Sequence, residues 1–210
     1  MKLNIANQLK KRDQLEIAEL QDNIISIAYS VTDDLILHGC TSIWRCYSGK
    51  RFSVDIDLYS KNFEENMNEF SERLRSQGLN VIKMKNTGNI IFSSISNDYS
   101  TVKFDINHIK DVKGELCHYE MVDGSIMEVL SLSAYNLIIE KIKAYNNRRF
   151  IRDLYDIYHL LLIGTEPPEE LNKFIDNIKK PVDESVLKTI VYSGIAPSYN
   201  RMINEIRRLI

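Results

Sequence analysis

His38-Gly39-Cys40-Thr41-Ser42, followed by Arg51-Phe52-Ser53-Val54-Asp55-Ile56-Asp57-Leu58, decides how this chain is read. The first stretch ends a short apolar run, Leu35-Ile36-Leu37, with a glycine and small residues. A strand that turns into a helix in this way presents backbone N–H groups at a helix N-terminus, which is a ready phosphate cradle. Gly39 lets the backbone approach a ligand closely, and Thr41 or Ser42 can donate a hydroxyl. Many strand-to-helix turns carry Gly and a Ser or Thr cap for structural reasons alone. The second stretch sets Asp55 and Asp57 two residues apart. On a strand both point to one face, while Val54, Ile56 and Leu58 point to the other, into a core. Carboxylates held together raise each other's pKa, and a divalent cation removes the repulsion. Mg2+ (or Mn2+) on hard carboxylate oxygens, with waters and substrate phosphates completing the shell, is the expected arrangement.

A third acid fits the pair. In Thr101-Val102-Lys103-Phe104-Asp105-Ile106, apolar residues alternate with Lys103 and Asp105, so Asp105 lies on the polar face of its strand. Beside the Asp55/Asp57 strand it would bring three carboxylates together as metal ligands. Alternating acids are also ordinary solvent-facing strand positions.

The later part of the chain adds basic residues. On a helix from Leu130, Lys141 falls in the apolar stripe with Ala134, Leu137, Ile138 and Tyr145. Lysines are rarely buried unpaired, and such a lysine is suited to hold a triphosphate; a side chain snorkelling to water is the plainer alternative. Asp153 and Asp156 share a flank of the next helix. Asp153 either favours the helix N-terminus through the dipole or orients Lys141. Lys141, Lys143, Arg148, Arg149 and Arg152 crowd into twelve residues, forming either a path for a polyanion such as RNA or a solvated inter-helix turn. None of the four histidines shows ligand spacing.

The periodicity predicts an α+β fold. A helix is expected from about Asn4 to Ser30 and strands at Leu35–His38 and Val54–Tyr59. An amphipathic helix on Phe63, Met67, Phe70 and Leu74 stops at Gly78. Strands follow at Leu79–Met84, Ile90–Ile95, Thr101–Ile106 and His118–Val122, and helix from Leu130 onward. This divides the chain into a mixed-sheet domain over 1–125 and a helical domain over 126–210 that completes the active-site cleft.

The bulk composition excludes several classes. With 210 residues, 44% of them hydrophobic, the chain can bury a core. A net charge of −2 exerts no overall pull on nucleic acid, so any attraction is local. Three cysteines without a CxxC pair argue against a disulfide framework and a zinc knuckle. Met1-Lys2-Leu3-Asn4 leads into polar sequence and no apolar run spans a membrane. A cytoplasmic setting is expected.

Taken together, these residues resemble the nucleotidyltransferase superfamily. More narrowly they resemble the AbiEii/AbiGii abortive-infection toxin family, in which type IV toxin–antitoxin toxins are found. That family carries a Gly-Gly-Thr-Ala-Leu-like turn, an Arg-Phe-Ser-x-Asp-hydrophobic-Asp strand, and Glu-Lys followed by Arg-Asp-Leu-Tyr-Asp. Here these are Gly39-Cys40-Thr41-Ser42-Ile43, Arg51–Asp57, Glu140-Lys141 and Arg152-Asp153-Leu154-Tyr155-Asp156. Cys40 departs from the family's Gly or Ser; its backbone N–H is kept. The resemblance implies a nucleotidyltransferase-like mixed sheet flanked by helices and followed by a C-terminal helical bundle. It implies nucleotide transfer from an NTP, with Mg2+, to an acceptor such as tRNA, restrained by a cognate, DNA-binding antitoxin. Asp55, Asp57 and Asp105 would bind metal, with Asp105 also activating the acceptor hydroxyl. Gly39, Cys40, Thr41, Ser42, Lys141 and Arg152 would bind the nucleotide, and Asp153 would support Lys141. Transfer to a protein or small molecule, and an inactive binding module of the same fold, are the alternative readings.

Overall fold

The computed structural model describes residues 3–109 and 111–210; the polar start read at Met1-Lys2 lies outside them. The chain forms two compact units. One comprises residues up to Cys46 with Ser53–Leu132, and the other Tyr47–Phe52 with Ser133–Ile210.

The first unit is a mixed seven-stranded sheet with helices. In chain order its elements are α1 (Ile5–Gln8), α2 (Arg12–Val31), β1 (Ile36–His38), α3 (Gly39–Cys46), β2 (Ile56–Ser60) and α4 (Met67–Ser76), then β3 (Asn80–Asn86), β4 (Ile90–Ser96), β5 (Thr101–His108), β6 (Glu115–Glu120) and β7 (Ile126–Ser131). The strand order is β3-β4-β5-β2-β1-β7-β6. β2 runs parallel to β5 and antiparallel to β1, which puts β2 in the middle of the sheet. One face of the strands carries the core. Leu37, Ile56, Leu58, Ile95, Val102, Phe104 and Ile106 pack with Ile24, Ile25 and Ala28 of α2 and with Phe70 and Leu74 of α4. Period-2 alternation on the strands thus meets 3.6-residue periodicity on the helices. Within the interior, Arg45 of α3 pairs with Asp22 of α2 at 2.9 Å, and Asp22 accepts the Val122 N–H at 2.7 Å.

The second unit is helical: α5 (Ala134–Arg148), α6 (Ile151–Leu162), α7 (Glu170–Asp176), α8 (Leu187–Ile190) and α9 (Tyr199–Leu209). Ser133 caps α5 by accepting the Asn136 N–H, and the helix ends where Arg149 turns left-handed (φ 53°). Leu137, Ile138, Lys141, Ile142 and Tyr145 form its buried stripe. The segment Tyr47–Phe52 joins this unit through hydrogen bonds of Phe52 N to Ile190 O and Tyr192 N to Lys50 O. Among the described residues no helix is long and apolar enough to cross a membrane.

The α+β class holds. Three local expectations do not. The first helix breaks at Leu9, whose extended backbone ends α1. The strand expected from Val54 begins at Ile56, and Val54 is 42% exposed, not in the core. The helix expected from Leu130 starts at Ala134, because Ile126–Ser131 is a strand. The first unit therefore runs on to Leu132, past the boundary read at 125.

Candidate active site

Gly39 follows β1 with φ +70°, a backbone that L side chains rarely adopt. A Cβ placed there would lie 2.6 Å from Oδ2 of Asp57. Glycine is therefore needed twice at this position, for the turn and for the room it leaves the carboxylate. Gly39→Ala is expected to lower any activity of this site on the order of 100-fold, the cost of misplacing a reacting group by about 1 Å. Gly78 has a similar φ (+74°) but nothing within 4 Å of its own Cβ position. Gly78→Ala should lower the melting temperature by strain alone and leave turnover unchanged.

Asp57 sits at the centre of the sheet. Its register partner on β1 is His38, and its partner on β5 is Asp105. Opposed residues share a face, so His38, Asp57 and Asp105 form a row on the side away from the core. Sequence reasoning set His38 aside for want of ligand spacing. Its ring stacks on Tyr59 at 3.8 Å between centroids, and Asn107 Nδ2 donates to its Nε2 at 3.4 Å. Alternation with the buried Leu37 was the available signal for its direction.

Asp55 lies just before β2, outside the ladder, so strand alternation does not aim it as expected. Its carbonyl accepts the Thr41 hydroxyl at 2.5 Å. The carboxylates are nevertheless close enough to interact. Partial burial raises the Asp105 pKa; the Ser93 N–H opposes this, and the charges of Asp57 and Asp55 add to it. The fold therefore disfavours ionised Asp105. This contribution is favourable below the ordinary carboxylate range and is lost as pH rises through the raised value. With a chelator present, Asp105→Asn should melt higher than the parent near pH 7, with the gap closing as pH falls towards about 4.

Among the described residues no group of three His, Cys, Asp or Glu side chains is arranged to hold a metal. Hard carboxylate oxygens still suit Mg2+, which is commonly held by one or two carboxylates plus substrate phosphates. The adjacent Asp57 and Asp105, with the Gly39 backbone drawn close, fit that two-carboxylate mode.

Thr41 and Ser42 do not offer their hydroxyls as expected. Both are fully buried. Thr41 bonds to Ser53 Oγ and Asp55 O, and Ser42 to Ser131 Oγ at 2.7 Å. They brace the turn from inside because α3 packs its first residues into the core. Cys40 is half-buried beside them.

In the helical unit, Lys141 is 4% exposed and its ammonium lies 3.0 Å from Asp156 Oδ2 and 3.9 Å from Asp153 Oδ1. It does not snorkel to water. Asp156 also accepts both Nε and Nη2 of Arg51, each at 2.5 Å. Burial pushes the Asp156 pKa up, but Arg51 and then Lys141 outweigh it and hold the carboxyl below its ordinary value. Arg148 forks onto Asp153 at 2.7 and 2.8 Å. The expected Lys141–Asp153 contact is thus the longer part of a buried network whose shortest member, Arg51, sequence reasoning left without a role. The basic cluster is likewise divided, since Lys141 and Arg148 are engaged with these acids. Arg152 lies against Phe150, 5.5 Å from its centroid, and its buried Nε has no hydrogen-bond partner among the described residues.

A family model described as nucleotidyl transferase AbiEii toxin, type IV TA system, matches residues 27–190. No curated protein matches the chain. Among solved structures, JHP933 from Helicobacter pylori aligns with a TM-score of 0.64 at 15% identity, covering 95% of this chain and 90% of that one. Another H. pylori structure, described as a candidate nucleotidyltransferase, aligns with a TM-score of 0.64 at 16% identity, covering 95% and 93%. The likeness to these two structures establishes a shared fold.

Proposed function

The chain belongs to the AbiEii nucleotidyl transferase toxin family, and on that premise we propose that it transfers a nucleotide from an NTP to an RNA acceptor, with tRNA the expected class. The observation that carries this reading is the pairing of Asp57 with Asp105 on adjacent central strands, beside the close approach of Gly39.

In the proposed reaction an acceptor hydroxyl oxygen bonds to the α-phosphorus of the NTP. The bond from that phosphorus to the β-bridging oxygen breaks, and pyrophosphate leaves. Asp105 accepts the hydroxyl proton. Asp57 and Asp105 would hold Mg2+ or Mn2+, with Asp55 close by but outside the ladder. When bound, that ion neutralises charge on the phosphates and on the leaving group. The backbone N–H groups following Gly39 are assigned to phosphate, a role that Cys40 retains in place of Gly or Ser. Arg152 is assigned to phosphate by the family pattern alone. Lys141 and Asp153, expected at the triphosphate, are assigned instead to the buried network of the helical unit that engages both. A cognate antitoxin, DNA-binding by the family pattern, would restrain the activity.

The test is transfer of α-labelled nucleotide by the full chain to total tRNA, to a protein mixture and to an aminoglycoside, side by side. Label in tRNA supports the reading. Label in protein or aminoglycoside alone replaces the acceptor. Calorimetry showing no NTP binding with Mg2+ present would leave an inactive binding module.

A further inference from the structure

The row that holds His38, Asp57 and Asp105 continues outward. Phe92 of β4 is the register partner of Asp105, and Lys85 of β3 is the partner of Phe92. A parallel row holds Lys103, Ser94 and Lys83. With neighbouring strands ~4.8 Å apart, Phe92 is one strand from Asp105 and Lys85 two.

The lysines reach this face through an irregularity. Val81 lies opposite Ile95 on the core side, and plain alternation would send Lys83 and Lys85 to that same side. The register instead shifts between Val81 and Lys83, so Ile82 is the extra residue. Such a bulge re-aims the side chains beyond it. Lys83 and Lys85 thereby join Phe92 and the acids. Phe92 is 40% exposed, although its neighbours Ile91 and Ser93 are buried.

Lysines and a bulge on an edge strand also prevent other strands from pairing with it. That role argues against a peptide or a second copy adding to β3. It places no demand on the aromatic ring and is served equally by negative charge. An exposed ring among lysines has the chemistry of a platform for single-stranded nucleic acid, with bases stacking on the ring and phosphates meeting the cations.

We propose that the face of β3–β5 carrying Lys83, Lys85, Phe92 and Lys103 is where the single-stranded acceptor RNA lies, with a base near its reacting end stacked on Phe92. This rests on the nucleotide-transfer reading and adds the place of the acceptor.

The test uses the full chain and a fluorescent twelve-nucleotide single-stranded RNA of mixed sequence. Anisotropy is read at several salt concentrations with Mg2+, and binding of radiolabelled NTPs is measured in parallel. Lys83→Glu with Lys85→Glu keeps the edge charged. It should weaken RNA binding at least tenfold and lower the salt slope by about 0.7 for each lysine removed. Phe92→Ala should weaken binding roughly 5- to 100-fold, and Phe92→Tyr should restore it. NTP binding should be unchanged in all three. The proposal is overturned if the variants bind RNA as the parent does, or if a duplex of the same sequence binds as tightly. It is also overturned if the parent is a dimer that the double reversal splits, because the face would then be an interface between copies. A parent that binds the RNA but no NTP removes the transfer reading and supports the RNA face by itself.

Discussion

Asp57→Asn should lower nucleotide transfer by roughly 1,000-fold, the upper end of what removing one preorganised electrostatic group costs, while the protein melts no lower than the parent. The two expectations come from one geometry. Asp57 faces Asp105 across adjacent parallel strands, and its charge is among the causes that raise the Asp105 pKa. Replacing it with the neutral isostere removes like-charge repulsion that the fold otherwise tolerates, and it removes a ligand oxygen at the same stroke. Lost activity with kept or increased stability is the signature of a functional group retained at the expense of stability. A parallel fall in activity and melting temperature would make Asp57 a structural residue. The relevant readouts are steady-state transfer and thermal unfolding with a chelator present.

Asp156→Ala should destabilise the helical unit by about 3–5 kcal/mol, the usual cost of removing one partner from a buried ion network. Asp156 is 1% exposed and holds both the Arg51 fork and the Lys141 ammonium. Without it, two buried cations lose their nearest anion. Hydrogen exchange can follow each unit separately. Amides of α5 and α6 should lose roughly two to three and a half orders of magnitude of protection, at 1.4 kcal/mol per factor of ten. Asp153→Asn leaves the Arg51–Asp156 fork in place and should cost less. Unchanged exchange in α5 and α6 after Asp156→Ala would show that the network does not hold these helices.

The parts of the fold legible in sequence were those with one clean period. β5 was readable because Val102, Phe104 and Ile106 alternate strictly with polar residues, and its face placed Asp105 correctly. β7 was obscured because Ile126, Met127, Val129 and Leu130 put apolar residues on both faces, so no period stood out. Asp55 and Asp57 looked equivalent by spacing, yet the strand begins between them at Ile56. Whether a spaced pair lies wholly on a strand depends on where the ladder starts, which local pattern does not encode. The sequence marks Gly39 as a place of close backbone approach, and the neighbour there is the Asp57 carboxylate. The Arg51–Asp156 fork joins residues 105 positions apart. No periodicity signals such a pair. The hydroxyls of Thr41 and Ser42 were visible as chemistry, but their inward direction follows from how α3 packs.

The central claim is that the α-phosphorus of an NTP ends on the acceptor and pyrophosphate departs. It is tested most directly by incubating the full chain and tRNA with two forms of the same nucleotide, one labelled at the α-phosphate and one at the γ-phosphate. Nucleotide transfer requires α-label in the tRNA and γ-label in released pyrophosphate. The α-label should disappear from the tRNA with Asp57→Asn. Label from the γ-position in the tRNA, or α-label incorporated equally by Asp57→Asn, would contradict it.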